Sequence, residues 1–294
     1  MSRCVILRFM MWCLIANAFL FGTAAAQMQV QHPTEVIYPL LHDVSPPLAE
    51  LAAKAPPLQM PSGPIREIAN REYPYESTPL REVTDRVLQN YFGTAEVPLP
   101  IANFEGINNL CGCYPPDPNG AAGPDHFVQT VNTHFAVWDK SGTQLQAPQL
   151  LAVLWNGFPG PWTGTSDGDP VVLYDRYSNR WVIMQFALPS TYYVLFAVST
   201  TSNPLGTYNR YAYQFTAFPD YPKISVWRDA YYMAIASFNP SYIGTAAVAV
   251  ERDSMLVGGT ARMVMFQRGT SDPRLLSADV DGTLPPPGTP NYFA

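Results

Sequence analysis

Three aspartates begin similar segments of the chain, and their type and spacing suit them to chemistry. Asp117, Asp169 and Asp220 each have a proline within two residues, and an aromatic residue that leads a strand follows them after 10, 12 and 11 positions. If equivalent repeat segments meet at one end of the fold, the carboxylates form a ring that holds a cation or faces a sugar. The alternative, which we favour, is structural: aspartate at a strand start also accepts hydrogen bonds from turn N–H groups.

Two other arrangements in this region are weaker predictions. Ser166 in the segment GTSDG matches a nucleophile-elbow pattern, but that motif needs a strand before the serine and a helix after it. Pro170 and the strand-like residues behind it predict a loop and then a strand, so the match is by chance. Asp169 and Asp175 lie about 20 Å apart along one strand, whereas paired glycosidase carboxylates lie about 5 to 9.5 Å apart.

Cysteine and further acidic residues give less definite signals. Cys111 and Cys113 are separated by one glycine, so they can close a small disulfide ring in an oxidising compartment, or each can pair with a cysteine outside this chain. Both interpretations stay open. Asp279 and Asp281 match part of a calcium loop, but the third acid and the distal glutamate are missing. No cofactor is therefore expected, with calcium as the weak alternative. Lys223, close to Asp220, is expected to form a solvated ion pair.

The elements that must position these residues are short strands. Gly, Pro, Asn and Asp clusters separate the segments PVVLYD, RWVIMQFA, YYVLFAVST and TYNRYAYQF, which predict four consecutive antiparallel strands. The aromatic residues Phe127, Trp181 and Tyr231 recur at intervals of 54 and 50 positions. A period near 50 with four strands per unit is typical of a β-propeller, with a sandwich or solenoid as alternatives. The sequence thus predicts an all-β fold with blades near 104–160, 165–217 and 218–270, then the start of a further unit.

The first 103 residues differ from this pattern. Residues 1–26 combine two arginines, an apolar core of about 14 residues and Ala24-x-Ala26, which predicts a cleaved secretory signal peptide. Residues 27–103 are expected to form a proline-rich packing arm, with a short helix near 79–92 that begins at Thr78 and Pro79. No second apolar run of spanning length follows, so the mature chain is expected to be secreted, periplasmic or on the cell surface, without an integral membrane segment.

Charge excludes one class of partner. The chain carries 17 basic and 23 acidic residues, and removal of Arg3 and Arg8 with the signal leaves 15 against 23, a net charge of −8. No basic cluster is present, so nucleic-acid binding lacks its electrostatic footprint. Aromatic residues at 13% and 30 prolines fit a β-rich protein with many turns.

The motif set PPDPNGAAGPDHFVQTVNTHFAVWDKSG, SDGDPVVLYDRYSNRWVIMQFA, VSTTSNPLGTYNRYAYQF and FPDYPKISVWRDAYYMA resembles an uncharacterised family of secreted bacterial β-propeller-type proteins. The resemblance covers residues 104–294 and implies fold and export only, since no established reaction accompanies that family. It also implies that such chains continue beyond the point where this one stops.

Three blades are visible, whereas closed propellers need at least four. We therefore expect the N-terminal portion of a longer chain, or a chain that self-associates to cover an open sheet edge. The expected function is that of an exported, non-catalytic binding or surface module whose ligand is a glycan or a protein. The alternative is a glycan-processing hydrolase that uses the acids at equivalent blade starts, Asp117, Asp169 and Asp220.

Overall fold

The computed structural model of the protein describes residues 32–58, 66–67, 99–271 and 275–294. The signal peptide predicted at 1–26 and the helix predicted near 79–92 lie outside these residues, and both stay predictions. The elements described below belong to the compact unit of residues 33–294.

Five short elements precede the main sheets. They are β1 (Glu35–Ile37), β2 (Leu41–Val44), α1 (Leu48–Ala53), β3 (Arg66–Glu67) and β4 (Cys113–Tyr114). Strands β3 and β4 pair in parallel, while β1 and β2 each join a larger sheet. The arm predicted at 27–103 thus contributes strands that its proline-rich composition did not indicate.

The fold is all-β and is dominated by three antiparallel sheets, each built from four consecutive strands. Sheet 1 contains β5 (Pro118–Ala122), β6 (His126–Val131), β7 (His134–Asp139) and β8 (Gln144–Leu150). Sheet 2 contains β9 (Val171–Asp175), β10 (Arg180–Ala187), β11 (Tyr192–Ser199) and β12 (Tyr208–Phe215). Sheet 3 contains β13 (Phe218–Val226), β14 (Ala230–Phe238), β15 (Tyr242–Glu251) and β16 (Met263–Gln267).

Smaller elements complete the sheets. Strand β2 pairs with the outer edge of β12, and β1 pairs with the outer edge of β16, so sheets 2 and 3 each have five strands. A 3₁₀ helix (Leu151–Trp155) follows β8, and α2 (Arg252–Leu256) connects β15 to β16.

The sheets pack face to face in chain order, with sheet 2 in the middle. Successive side chains of a strand point to opposite faces. On β10, Trp181 and Ile183 therefore join the core shared with sheet 1, while Val182 and Met184 join the core shared with sheet 3. Because both faces are covered, the segment RWVIMQFA is apolar almost throughout instead of alternating with polar residues.

The repeat predicted from aromatic residues corresponds to equivalent positions in the structure. Phe127, Trp181 and Tyr231 are each the second residue of the second strand of their sheet. Each pairs with the end of the first strand, at Ala122, Tyr174 and Val226. The all-β class and the repeated strands are thus confirmed. The sheets do not close into a ring within the described residues, so the β-propeller itself belongs to the proposals below.

The first strands of the three sheets lie side by side. Strand β5 contacts β9, and β9 contacts β13. The amide oxygen of Asn119 on β5 accepts a hydrogen bond of 2.8 Å from the backbone N–H of Val172 on β9. The starts of the three first strands, which carry the predicted acids, are therefore brought to one end of the molecule.

A further segment continues this row. The carboxylate of Asp279 accepts a 2.7 Å hydrogen bond from the backbone N–H of Val226 at the end of β13. Residues 276–278 exchange backbone hydrogen bonds with 292–294, around the antiparallel bridge between Ser277 and Phe293. Phe293 thus pairs with residues 276–278. Its position resembles that of the aromatic residues Phe127, Trp181 and Tyr231, each of which pairs with the first strand of its own sheet.

Candidate functional site

Asp117 and Asp169 occupy the same strained position at the starts of β5 and β9. Their φ angles are 43° and 44°, in the left-handed region that side chains other than glycine rarely adopt. Aspartate tolerates this region better than most residues because its short polar side chain bonds locally. Each aspartate is followed by a proline, Pro118 or Pro170. The first strand of the sheet begins at this proline in β5 and directly after it in β9.

In sheet 3 the equivalent position belongs to Tyr221 and not to Asp220. Tyr221 has a φ of 50° and precedes Pro222, whereas Asp220 lies one residue earlier. The register of β13 against β14 shifts between Asp220 and Lys223, which accommodates the difference. The predicted equivalence of the three aspartates is therefore corrected by one residue in sheet 3. The prolines at 118, 170 and 222 recur every 52 residues. Aligning the three segments on these prolines identifies Tyr221 as the equivalent of Asp117 and Asp169.

Asp117, Asp169, Asp220 and Lys223 nevertheless interact electrostatically, and we call them the acid–lysine cluster. Burial raises the pKa of Asp169 to about 7, and the negative charges of Asp220 and Asp117 add to this rise, while Lys223 opposes it. Burial also raises the pKa of Asp117, again against the effect of Lys223. Groups from three different sheets therefore share one electrostatic environment at the starts of the first strands.

Lys223 is the basic member of the cluster. Burial lowers the pKa of its ammonium, and the charges of Asp169, Asp117 and Asp220 partly offset that effect. Its Nζ atom lies 3.7 Å from the centre of the Tyr221 ring, a cation–π contact, and it donates a 3.4 Å hydrogen bond to the carbonyl of Pro222. Lys223 is therefore half-buried where the sequence predicted a solvated ion pair, and it interacts electrostatically with three acids.

The cluster does not have the arrangement of a metal centre. Over residues 32–58, 66–67, 99–271 and 275–294, no group of three or more His, Cys, Asp or Glu side chains is arranged to hold a metal ion. The predicted cation ring of Asp117, Asp169 and Asp220 gains no support from this geometry, nor does calcium. Asp279, part of the calcium-like segment, instead uses its carboxylate to bind the backbone of Val226.

Asp175, at the other end of β9, has a purely structural environment. Its carboxylate is completely buried and receives two hydrogen bonds from the guanidinium of Arg252, at 2.7 and 3.1 Å. The hydroxyl of Tyr231 donates a third at 3.0 Å. Arg252 and Tyr231 belong to sheet 3 and its connection, so this network fastens sheet 2 to sheet 3 and leaves Asp175 no exposed face for chemistry.

A pocket of about 540 Å³ lies at this second end of the first strands. Four parts of the chain line it: the end of β5 with the following turn, the end of β9, Val226 of β13, and residues 279–281. The hydroxyl of Tyr177 donates a 3.1 Å hydrogen bond to the carbonyl of Val280 across it. We call it the far-end pocket, because the acid–lysine cluster lies at the opposite end of the same strands. No pattern in the sequence predicts this pocket.

A second cavity, of about 720 Å³, lies beside sheet 1, and we call it the side pocket. Ser166 and His134 both line it, but the two side chains are not arranged as a catalytic pair. The Ser166 hydroxyl accepts a 3.0 Å hydrogen bond from the backbone N–H of Ala152, and the Nδ1 atom of His134 lies 2.9 Å from the Thr133 hydroxyl. Cys111 and Cys113, which the structure joins in a disulfide bond, also line this pocket.

Comparisons of the chain with protein-family profiles, with curated proteins and with solved structures found no match. In the part of the chain that the structure describes, no helix combines the length and the apolar character needed to cross a membrane.

Proposed function

We propose that the three sheets are successive blades of a β-propeller and that residues 275–294 begin a fourth. The face-to-face packing in chain order and the row of adjacent first strands support this proposal. A closed ring needs at least four blades, so a complete ring contains more blades than these three sheets. An experimental structure of the assembled protein should place the first strands around one central axis. A flat or two-layered arrangement would refute the proposal.

We further propose that the protein is an exported, non-catalytic binding module whose ligand is a glycan. The observation that carries this proposal is the acid–lysine cluster, in which carboxylates from three sheets interact electrostatically with one another and with one ammonium group. Carboxylates accept hydrogen bonds from sugar hydroxyls, and an ammonium group donates to them. The cluster is half-buried, so these groups are already held in place and partly desolvated before a ligand arrives.

A glycan array probed with the exported protein tests this function. The wild-type protein should bind a defined set of glycans, and Asp169→Asn should reduce binding at least about tenfold, because a neutral amide replaces the charged carboxylate acceptor. Asp125→Asn is the matched control, because Asp125 is an exposed aspartate next to the other end of β5. Equal binding by Asp169→Asn and the wild type would place the ligand elsewhere, and binding of proteins but not of glycans would favour the protein ligand.

One observation favours the alternative, a glycan-processing hydrolase. A general acid needs a pKa near the working pH and an ionised carboxylate close by. Asp169 meets the first condition with a pKa of about 7, and Asp117 and Asp220 supply the second. If Asp169 is that acid, glycan hydrolysis should fall as the pH rises above 7 and should be lost in Asp169→Asn. Binding without hydrolysis across that pH range would exclude the enzyme.

Export rests on the predicted signal peptide. Mass spectrometry of the protein secreted from an expressing bacterium should find Gln27 at the new N-terminus. A full-length chain retained inside the cell would contradict this prediction.

A further inference from the structure

The disulfide between Cys111 and Cys113 forms part of the wall of the side pocket. The pocket encloses about 720 Å³. Apolar side chains, including those of Leu58 and Leu150, line it together with polar groups such as Thr133 and Gln149. A cavity of this size with mixed lining accepts a short peptide segment or a molecule of similar volume.

The two sulfur-bearing residues differ in their access to solvent. Cys113 is only 2% exposed, whereas Cys111 is half-buried. A thiolate that enters the pocket therefore reaches the Sγ atom of Cys111 first. The backbone N–H of Cys113 points at that sulfur atom, at 3.2 Å, and is placed to stabilise negative charge on it.

The loop that carries the disulfide is held by other contacts. Asn109 donates a 2.8 Å hydrogen bond to the carbonyl of Cys113 and accepts a 3.2 Å hydrogen bond from the N–H of the same residue. Gly112 takes a φ of 58°, which glycine adopts without strain. These contacts do not depend on the S–S bond, so the loop keeps its shape when the bond is reduced.

A structural role explains this disulfide poorly. A disulfide stabilises a fold mainly by restricting the unfolded chain, and the effect grows with the length of the loop that it closes. Only one residue separates Cys111 from Cys113, so the restriction is close to the smallest that a disulfide can impose. Its place on a pocket wall suggests chemistry instead.

We propose that Cys111–Cys113 is a redox-active disulfide that oxidises the thiols of a cysteine-containing peptide bound in the side pocket. A thiolate of the peptide attacks Sγ of Cys111, and the Cys111–Cys113 bond breaks. Cys113 leaves as a thiolate and takes up the proton that the peptide thiol released. A second peptide thiolate then attacks the peptide sulfur of the mixed disulfide and releases Cys111 as a thiolate, which takes up the proton that the second peptide thiol lost. The peptide loses two electrons and the protein disulfide gains them.

Variants of the chain that begins at Gln27, which lacks Cys4 and Cys13, keep one cysteine each and test the order of attack. Reduced Cys113→Ser keeps the accessible Cys111, and reduced Cys111→Ser keeps the buried Cys113. Each is mixed with a leucine-flanked cysteine peptide activated as its thionitrobenzoate disulfide, and the release of thionitrobenzoate is followed. Cys113→Ser should react at least about tenfold faster than Cys111→Ser. Equal rates, or a faster reaction of Cys113, would overturn the proposal.

Two leucines of β8 provide a matched test of the pocket. Leu150 lines it and is 39% exposed, while Leu145 is 43% exposed and does not line it. In the oxidised wild-type backbone, Leu150→Glu should slow oxidation of a reduced, leucine-flanked dithiol peptide, and Leu145→Glu should not. Oxidation of glutathione, which needs no apolar pocket, should be unchanged in both.

Free thiols are counted by alkylation and mass spectrometry, and circular dichroism shows that each variant is folded. A wild-type disulfide that is reduced only after unfolding in guanidinium chloride would overturn the proposal. The same conclusion would follow if Leu150→Glu and Leu145→Glu oxidised the peptide at equal rates.

Discussion

The two ends of β9 carry aspartates in opposite environments, although they lie only six positions apart in the sequence. Asp175 is fully buried and is matched by the guanidinium of Arg252 and the hydroxyl of Tyr231. Asp169 is half-buried, and its nearest charges include two further carboxylates together with the single ammonium of Lys223. One strand thus presents a neutralised acid at one end and a cluster with excess negative charge at the other.

This difference separates a structural acid from one suited to binding. Removing the partner of a fully paired buried charge lowers the stability of the fold strongly. The paired charge itself has no accessible group that could bind a ligand. Like charges held close together are unfavourable to folding, because one of them is driven towards its neutral form. A fold tolerates such a cluster when it serves another purpose, and hydrogen bonding to a ligand relieves the unfavourable charge.

The largest expected effect comes from breaking the neutralised end. Arg252→Ala leaves the carboxylate of Asp175 buried without its cation, and we expect a loss of about 3–5 kcal/mol in the free energy of unfolding. Urea denaturation measures this change. Arg262→Ala is the control, since Arg262 and Glu251 form an ion pair in which both side chains are 40% exposed or more, and its loss should cost about 0.5 kcal/mol. Similar values for the two variants would show that the buried network does not stabilise the contact between sheets 2 and 3.

Substitution of Asp169, at the clustered end of β9, should increase the free energy of unfolding, and the size of the increase should depend on pH. Because the pKa of Asp169 is raised from 3.8 to about 7 in the folded protein, the folded state binds more protons than the unfolded state between these values. Stability should therefore fall as the pH rises from 4 to 7 and then stay level. Asp169→Asn removes this dependence, so it should match the wild type near pH 4 and exceed it by about 2 kcal/mol at pH 8, a value discounted for residual solvent contact.

Asp139→Asn is a control of opposite sign for that experiment. Hydrogen bonds from Ser141 and Thr143 lower the pKa of the exposed Asp139 carboxyl. The stability that this carboxylate contributes is present above its ordinary pKa and is lost as the pH falls through the lowered value. The asparagine variant should therefore be the less stable one at neutral pH. A constant stability difference between Asp169→Asn and the wild type from pH 4 to pH 8 would contradict the electrostatic assignment of the cluster.

Substitution of Tyr231 removes a single hydrogen bond from the buried network around Asp175. Burial raises the pKa of its hydroxyl, and the charge of Asp175 adds to this rise, so the group remains a donor at every physiological pH. Tyr231→Phe should cost about 1–2 kcal/mol, as expected for a hydrogen bond to a charged group. Tyr232→Phe, whose hydroxyl bonds the exposed Asp229, should change the unfolding free energy by less than about 0.5 kcal/mol. Equal effects would mean that burial does not strengthen the Tyr231 contact.

Local patterns in the sequence were sufficient to predict the strands and their repeat. Trp181 and Tyr231 mark the second strands because an aromatic residue at that point packs between neighbouring sheets. The same reasoning located Asp117 and Asp169, since aspartate before proline is a recognisable strand start. These features depend on residues close together in the chain, which a pattern can register.

The composition of the cluster could not be predicted in the same way. Lys223 faces Asp117 and Asp169 only because β13 lies next to β9 and β9 next to β5, an adjacency between segments about 50 residues apart. Arg252 is matched to Asp175 across 77 positions by packing between sheets 2 and 3. Such pairings depend on tertiary contacts that no local pattern contains, and the same holds for the side pocket beside Cys111.

Lys223→Met gives the smallest effect and the sharpest test of the cluster. Removal of the Lys223 charge, which opposes the rise, should raise the pKa of Asp169 further above 7. The pKa of Asp117 should rise as well, since Lys223 also opposes its shift. Carbon-13 NMR titration of the aspartate carboxyls measures both values. Lys140→Met is the control, because Lys140 bonds the carbonyl of Gly123 just beyond the other end of β5. If both lysine variants moved the pKa of Asp169 equally, the effect would reflect the net charge of the protein, and the contrast between the two ends of β9 would lose its electrostatic basis.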